Sequence, residues 1–182
     1  MLRILAALAL VAALATPAGA QDKLDPQNTI VLTTKTGPVT IRLRPDLAPQ
    51  HVERIKTLTK EGFYDGVVFH RVIDGFMAQT GDPTGTGMGG SKLPDLPAEF
   101  TPTPFKRGTL GMARARSPNS ANSQFFICFA DASNLNGQYT VFGEVVSGME
   151  NVDKIKKAEG DPNGMVKGPD KIVSMKLLAD TK

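Results

Sequence analysis

The run Phe69-His70-Arg71-Val72-Ile73-Asp74-Gly75-Phe76-Met77-Ala78-Gln79-Thr80-Gly81-Asp82 sets one arginine among closely spaced apolar side chains. A guanidinium is permanently charged and carries five donors, so it can hold a lone pair without transferring a proton. Gln79 adds an amide that both donates and accepts. Phe76 and Met77, with Phe125, Phe126 and Leu135 from later segments, supply apolar area able to seat a small ring. No nucleophile with a base, metal cluster or paired acid and base surrounds the run. The chemistry that suits it is rotation of a bond rather than its cleavage.

Phe69 and Arg71 are two apart, so a strand through them puts both on one face. An arginine on an apolar face pairs with an acid or meets a ligand, and Asp74 and Asp82 are the acids in sequence reach. Other signals carry less. Gly85-Thr86-Gly87-Met88-Gly89-Gly90 contains G-x-G-x-x-G, but Pro83 precedes it and Pro94 and Pro97 follow. A dinucleotide site needs a strand before and a helix after, so that reading is set aside. The chain has only two histidines, His51 on a helix face and His70, which argues against a metal site. His70 is expected to be a hydrogen-bonded structural residue. Ser117, Ser120 and Ser123 read as loop residues. Cys128, the single cysteine, lies within Gln124-Phe125-Phe126-Ile127-Cys128-Phe129 and reads as a small buried hydrophobe.

The elements that must position these residues are short. Thr29–Thr34 and Val39–Arg44 read as a hairpin around Lys35-Thr36-Gly37-Pro38. Val52, Ile55 and Leu58 recur within Pro49–Thr59, which predicts an amphipathic helix stopped near Gly62. Val67–Val72 and Phe76–Gln79 are expected as strands around Asp74-Gly75, followed by a long loop over Asp82–Leu96. Further strands are expected at Leu110–Arg114, Gln124–Phe129, Tyr139–Val146 and Ile172–Leu178, with a polar loop over Arg116–Asn122. A second helix is expected at Met149–Lys157, with Lys154, Lys156 and Lys157 on its solvated face. Two helices and about eight short strands suggest a mostly antiparallel barrel.

The 182 residues suffice for one domain. Arg3, the twelve apolar residues Ile4–Ala15, Pro17 and Ala18-Gly19-Ala20 have the form of a secretory signal peptide. The apolar run falls short of the roughly 20 residues that span a membrane. Residues 1–20 are therefore expected to be removed, leaving one domain over 21–182 that is exported to a periplasm or secreted. The net charge of +3, lower by one without Arg3, is too small to argue for nucleic acid or a membrane surface as partner.

The chain resembles the cyclophilin-type peptidyl-prolyl isomerases over roughly Thr29 to Leu178. The matching pieces, in order, are Phe69–Ile73, Phe76–Gln79, Gly81-Asp82, Gly108–Ala113, Asn122–Ile127, Leu135–Gly137 and Val141–Gly143. The resemblance implies a mostly-β fold, a closed eight-stranded antiparallel barrel capped by two helices. It implies isomerisation of X-Pro peptide bonds in unfolded or partly folded proteins, without cofactor or metal, by a monomer. Arg71 falls on the family's catalytic arginine. Phe76, Met77, Phe126 and Leu135 fall on its proline pocket, and Gln79, Ala113, Arg114 and Gln124 on the wall that holds the peptide. Tyr139 lines the groove where many relatives have histidine. Asn134 stands where relatives carry tryptophan or another aromatic, which implies a weaker apolar wall and weaker cyclosporin binding. Thr80 replaces a small residue. A binding module or holdase on the same fold, and a β-barrel that binds some other ligand, are the alternatives open at this point.

Overall fold

The computed structural model describes residues 23–181; the signal-peptide reading of residues 1–20 lies outside them. The strands are β1 (Thr29–Thr34), β2 (Gly37–Leu43), β3 (Arg71–Ile73), β4 (Met77–Thr80), β5 (Thr109–Met112), β6 (Phe125–Cys128), β7 (Val141–Ser147) and β8 (Ser174–Leu177). The helices are α1 (Pro49–Lys60) and α2 (Met149–Asp153). All eight strands join one antiparallel sheet in the order β3-β4-β6-β5-β7-β2-β1-β8.

The closed barrel expected from the sequence is not the ladder observed. The sheet is a curved half-barrel with β3 and β8 as its ends. The gap between them is spanned by irregular pairing of residues 66–72 with residues 164–172. Gly66 N–H donates to Ile172 O at 2.8 Å, Phe69 N–H to Asp170 O at 2.8 Å, and Val72 N–H to Gly164 O at 2.8 Å. Gly164, Gly168 and Pro169 punctuate the second segment, and Gly160 and Pro162 the approach to it. Proline cannot donate to a ladder and glycine weakens one, so no continuous strand forms there.

Alternation along the central strands creates two apolar layers. Phe125 and Ile127 of β6 enter the main core with Ile30, Leu32, Val52, Ile55, Leu110 and Phe142. Phe126 and Cys128 point the other way and join Met77, Phe105, Ala132, Leu135 and Val141. Each large apolar side chain among them, fully buried, stabilises the fold by about 1.5–3 kcal/mol. The second layer is the floor of the site described below.

Several boundaries move. The strand expected over Val67–Val72 begins only at Arg71, because the preceding residues pair singly with the 164–172 segment. Phe69 and Arg71 therefore do not share a face: Phe69 is fully buried in the main core with Val72, while Arg71 lies on the opposite side. α2 ends four residues early, at Asp153. Lys156 and Lys157 thus lie beyond it, and their ammonium groups donate to the backbone oxygens of Lys167 and Asp153. α1 matches its expected span within one residue. Its inner face also buries His51 and Arg54, which the apolar periodicity did not include.

Candidate active site

Cross-strand register assembles the site. Arg71 of β3 lies opposite Gln79 of β4, Gln79 opposite Phe126 of β6, and Phe126 opposite Gly111 of β5. Four residues from four neighbouring strands thus form one row on the outer face of the sheet. Along it Arg71 Nη1 donates to Gln79 Oε1 at 3.2 Å, and Gln79 Nε2 donates to Gln124 Oε1 at 2.9 Å. Gln124 Nε2 then donates to Gly87 O and Gly89 O at 3.0 and 2.8 Å. Arg71 Nε donates to Asn163 O at 2.7 Å. The guanidinium is thus oriented by two neutral acceptors, and its charge stays uncompensated. The salt bridge to Asp74 or Asp82 that the sequence left open as an alternative is not what holds it.

Asp82 is occupied elsewhere. It is fully buried and accepts from the backbone N–H groups of Thr84, Thr86, Gly87 and Gly89 at 2.7–3.1 Å. Burial would raise its pKa, but these donors and the Thr84 hydroxyl outweigh it and hold the carboxyl at about 2. The G-x-G-x-x-G loop is therefore wrapped around an internal anion, and the N–H groups that could cradle a phosphate are already used.

Beside Arg71 lies a groove of about 300 Å³. It is lined by Arg71, Phe76, Met77, Gln79, Ala113, Arg114, Phe126, Asn134, Leu135 and Tyr139. Sequence reasoning singled out all ten, and Asn134 does occupy the wall. Gln124 is the exception: it lines an adjoining cavity of about 400 Å³ with Gly87–Ser91 and Ala113–Ala115. Phe126 forms the floor, stacked on Phe105 at 5.7 Å between centroids and edge-on to Tyr139 at 5.8 Å. The Arg114 guanidinium sits 4.5 Å over the Tyr139 ring. The arrangement can seat a small apolar ring on Phe126, Met77 and Leu135 with a cation at its edge.

A profile of the family described as "Cyclophilin type peptidyl-prolyl cis-trans isomerase/CLD" matches residues 29–177. The chain belongs to the cyclophilin family. It is similar to a probable peptidyl-prolyl cis-trans isomerase of Brucella suis, 60% identical over 169 residues that cover 87% of this chain and 86% of that one. It is also similar to a peptidyl-prolyl cis-trans isomerase of Helicobacter pylori, 44% identical over 131 residues, covering 70% and 80%. A crystal structure of a cyclophilin from Hirschia baltica superposes with a TM-score of 0.78 at 26% identity, over 87% of this chain and 77% of that chain. Another, of a cyclophilin-type isomerase of Cryptosporidium parvum in the presence of the dipeptide Ala-Pro, gives 0.76 at 30% identity over 82% and 98%. This cyclophilin is accordingly a peptidyl-prolyl cis-trans isomerase.

Some contributors to the cyclophilin's site carried no sequence signal. Phe105 supports Phe126 from a loop. Asn163 reaches Arg71 across 92 residues through a backbone carbonyl, which no side-chain pattern reports. Gly111 passes beneath Phe126, where a Cβ would meet the Phe126 and Phe105 rings.

One expectation needs correction. His70 is buried, and its ring nitrogens make no hydrogen bond of full geometry, the Val68 backbone being the nearby polar group. The ring packs under Gly87, and burial pushes its pKa down. Ser123 is a loop residue as expected, buried and donating to Gly81 O at 2.7 Å. Cys128 is fully buried as expected, and burial pushes its thiol up to about 12. Among the described residues no group of three His, Cys, Asp or Glu could hold a metal ion.

Proposed function

We propose that this isomerase acts on X-Pro bonds of unfolded or partly folded exported proteins, with the proline ring on Phe126, Met77 and Leu135 and with Arg71 stabilising the twisted amide. The carrying observation is the row Arg71-Gln79-Phe126, which sets an oriented, acid-free guanidinium at the edge of an apolar pocket. The Ala-Pro dipeptide used with the Cryptosporidium relative supports the choice of ligand.

Rotation about the amide must break resonance, with a barrier of roughly 18–20 kcal/mol. In the twisted state the prolyl nitrogen becomes pyramidal and regains a lone pair. A donor aimed at that nitrogen, or at the prolyl carbonyl, stabilises this state more than either planar isomer. Acceleration by about 10⁴-fold requires about 5.5 kcal/mol. One charge-assisted hydrogen bond supplies roughly 1.5–3 kcal/mol. The pocket must supply the rest, by clamping the ring while the preceding carbonyl swings and by removing water that favours the planar, more polar amide. No proton moves and no covalent intermediate forms.

The test is cis/trans exchange of an Ala-Pro peptide by NMR, with the chain beginning at Gln21 and with Arg71→Ala. We expect the variant to fold, to keep most peptide-induced shifts and to lose roughly ten- to a hundredfold in kcat/KM. Exchange left unchanged by Arg71→Ala would defeat the assigned mechanism. Peptide-induced shifts with no acceleration by the native protein would instead mark a binding module. Export to the periplasm, and action as a monomer, rest on the N-terminal sequence and the single-domain organisation. Finding the processed protein in the cytosol on cell fractionation would overturn the first.

A further inference from the structure

We propose that this groove selects peptides carrying an acidic side chain one or two residues from the proline, and that Arg114 and Arg116 read it. The inference rests on the peptide-groove reading above. Gln79, Ala113 and Arg114 line both the groove and the adjoining cavity, so they form the ridge a bound chain must cross.

The arginines of the described residues divide by partner. Arg42 faces Glu144, Arg44 pairs with Asp46 at 2.8 Å, and Arg107 pairs with Asp153 at 2.7 Å. Arg54 is buried and donates to the carbonyls of Asn122 and Pro94. The other three, Arg71, Arg114 and Arg116, have no carboxylate partner within the described chain; Arg71 and Arg114 line the groove, and Arg116 follows Arg114 by two residues.

Arg114 is already ordered. Its Nε and Nη2 donate to Gln138 O at 3.2 and 3.0 Å, and Nη1 donates to Ala115 O at 3.1 Å. With the guanidinium also stacked on Tyr139, little side-chain freedom remains to be lost on pairing. All its acceptors are neutral, so its charge is unspent. Arg116 lies two residues on in the same exposed loop, and its carbonyl accepts from Arg114 Nη1.

The nearby acids do not cancel this field. Asp82 is enclosed by its loop. Asp95, on the wall of the adjoining cavity, accepts from Asn122 Nδ2 at 3.0 Å and faces the charge of Arg54. Tyr139 touches both Phe126 and Arg114, and an extended peptide rises about 3.3 Å per residue. A carboxylate next to a proline seated on Phe126 therefore comes within reach of Arg114.

The test compares kcat/KM for three matched peptide sets with Glu, Gln or Lys beside proline, on either side, using the native protein, Arg116→Gln and Arg114→Gln. At low salt the order Glu, Gln, Lys is expected, with roughly two- to fivefold between Glu and Gln for each arginine that pairs. Either variant should shrink the Glu-to-Lys ratio, and about 1 M salt, where screening acts within about 3 Å, should abolish it. Arg116→Gln should leave the Gln peptide's rate unchanged. Equal rates for Glu and Lys at low salt, or a preference that survives in Arg116→Gln and in high salt, would overturn the selectivity while leaving the isomerase intact. No acceleration of even the Gln peptide would overturn the underlying peptide-groove reading instead.

Discussion

Arg71 is a case of a charge held by neutral groups. Asn163 O and Gln79 Oε1 fix its plane without lowering its electrostatic demand, so a substrate lone pair competes with no carboxylate. A buried or half-buried arginine paired with an acid would have spent that field on stability. Asn134 shows the converse, a small polar side chain on a wall otherwise made of Phe76, Met77, Phe126, Leu135 and Tyr139. Asn134→Trp should strengthen the wall. Covering about 60 Å² of apolar ligand surface is worth about 1.5 kcal/mol, or about tenfold in affinity. Titration of an Ala-Pro peptide or of cyclosporin by calorimetry checks this, and unchanged affinity for both would show that Asn134 does not limit binding.

Among the elements, β5 depends on the absence of a side chain. Gly111 lies opposite Phe126 in the β5–β6 ladder, and a Cβ there would collide with Phe126 and Phe105 together. Its backbone is not in the left-handed region, so the requirement is space, not φ. Gly111→Ala should destabilise the fold by about 1–3 kcal/mol through overpacking. It should also lower kcat/KM by tilting the floor of the groove. Urea unfolding with a kinetic assay separates the two effects, and a variant normal in both would refute the packing argument. The glycine-rich loop is governed differently, by the Asp82 carboxylate that gathers its N–H groups. α1 anchors the following loop through His51 Nδ1, 2.6 Å from Glu99 Oε2, and through Arg54 on Pro94 O. Glu99 N–H in turn donates to Thr140 Oγ1, next to Tyr139 of the groove.

At the scale of the molecule, these buried groups link stability to pH with one sign. Burial lowers the pKa of His51 and of His70 from 6.5. The unfolded chain therefore takes up protons below about 6.5 that the folded chain refuses, and stability falls on acidification from that point. Glu99 and Asp82 follow at lower pH. Burial opposes ionisation of both, but their hydrogen bonds prevail and lower them. Their contribution is present above the ordinary carboxylate range and lost as pH falls through the folded values. For Asp82, a drop from 3.8 to about 2 corresponds to about 2 kcal/mol. The urea midpoint should hold near pH 7.5 and decline steadily from about 6.5 to 4; a flat midpoint over that range would contradict the assignment. Under the export proposed above, the mature protein should begin at Gln21, which intact mass of the protein recovered from the periplasm would show; retention of residues 1–20 would exclude the cleavage.

What the sequence determined by itself was whatever depends on local pattern. The hairpin of β1 and β2, the span of α1 and the apolar run of β6 follow from periodicities of two and 3.6 residues. The ordered motifs from Phe69 to Gly143 marked the family, and the groove gathers every lining residue named from them except Gln124. What only the tertiary structure decided are contacts between distant segments. Phe69 and Arg71 part company because backbone pairing with residues 164–172 replaces a regular strand there. Arg71 takes its orientation from a carbonyl at Asn163, and every residue type has a carbonyl, so no residue identity announced it. Asp82 was readable as a partner for Arg71 until the loop's own N–H groups claimed it. Side-chain identity and spacing are properties of the chain, whereas backbone acceptors, burial and the ends of a sheet exist only once the chain has closed on itself.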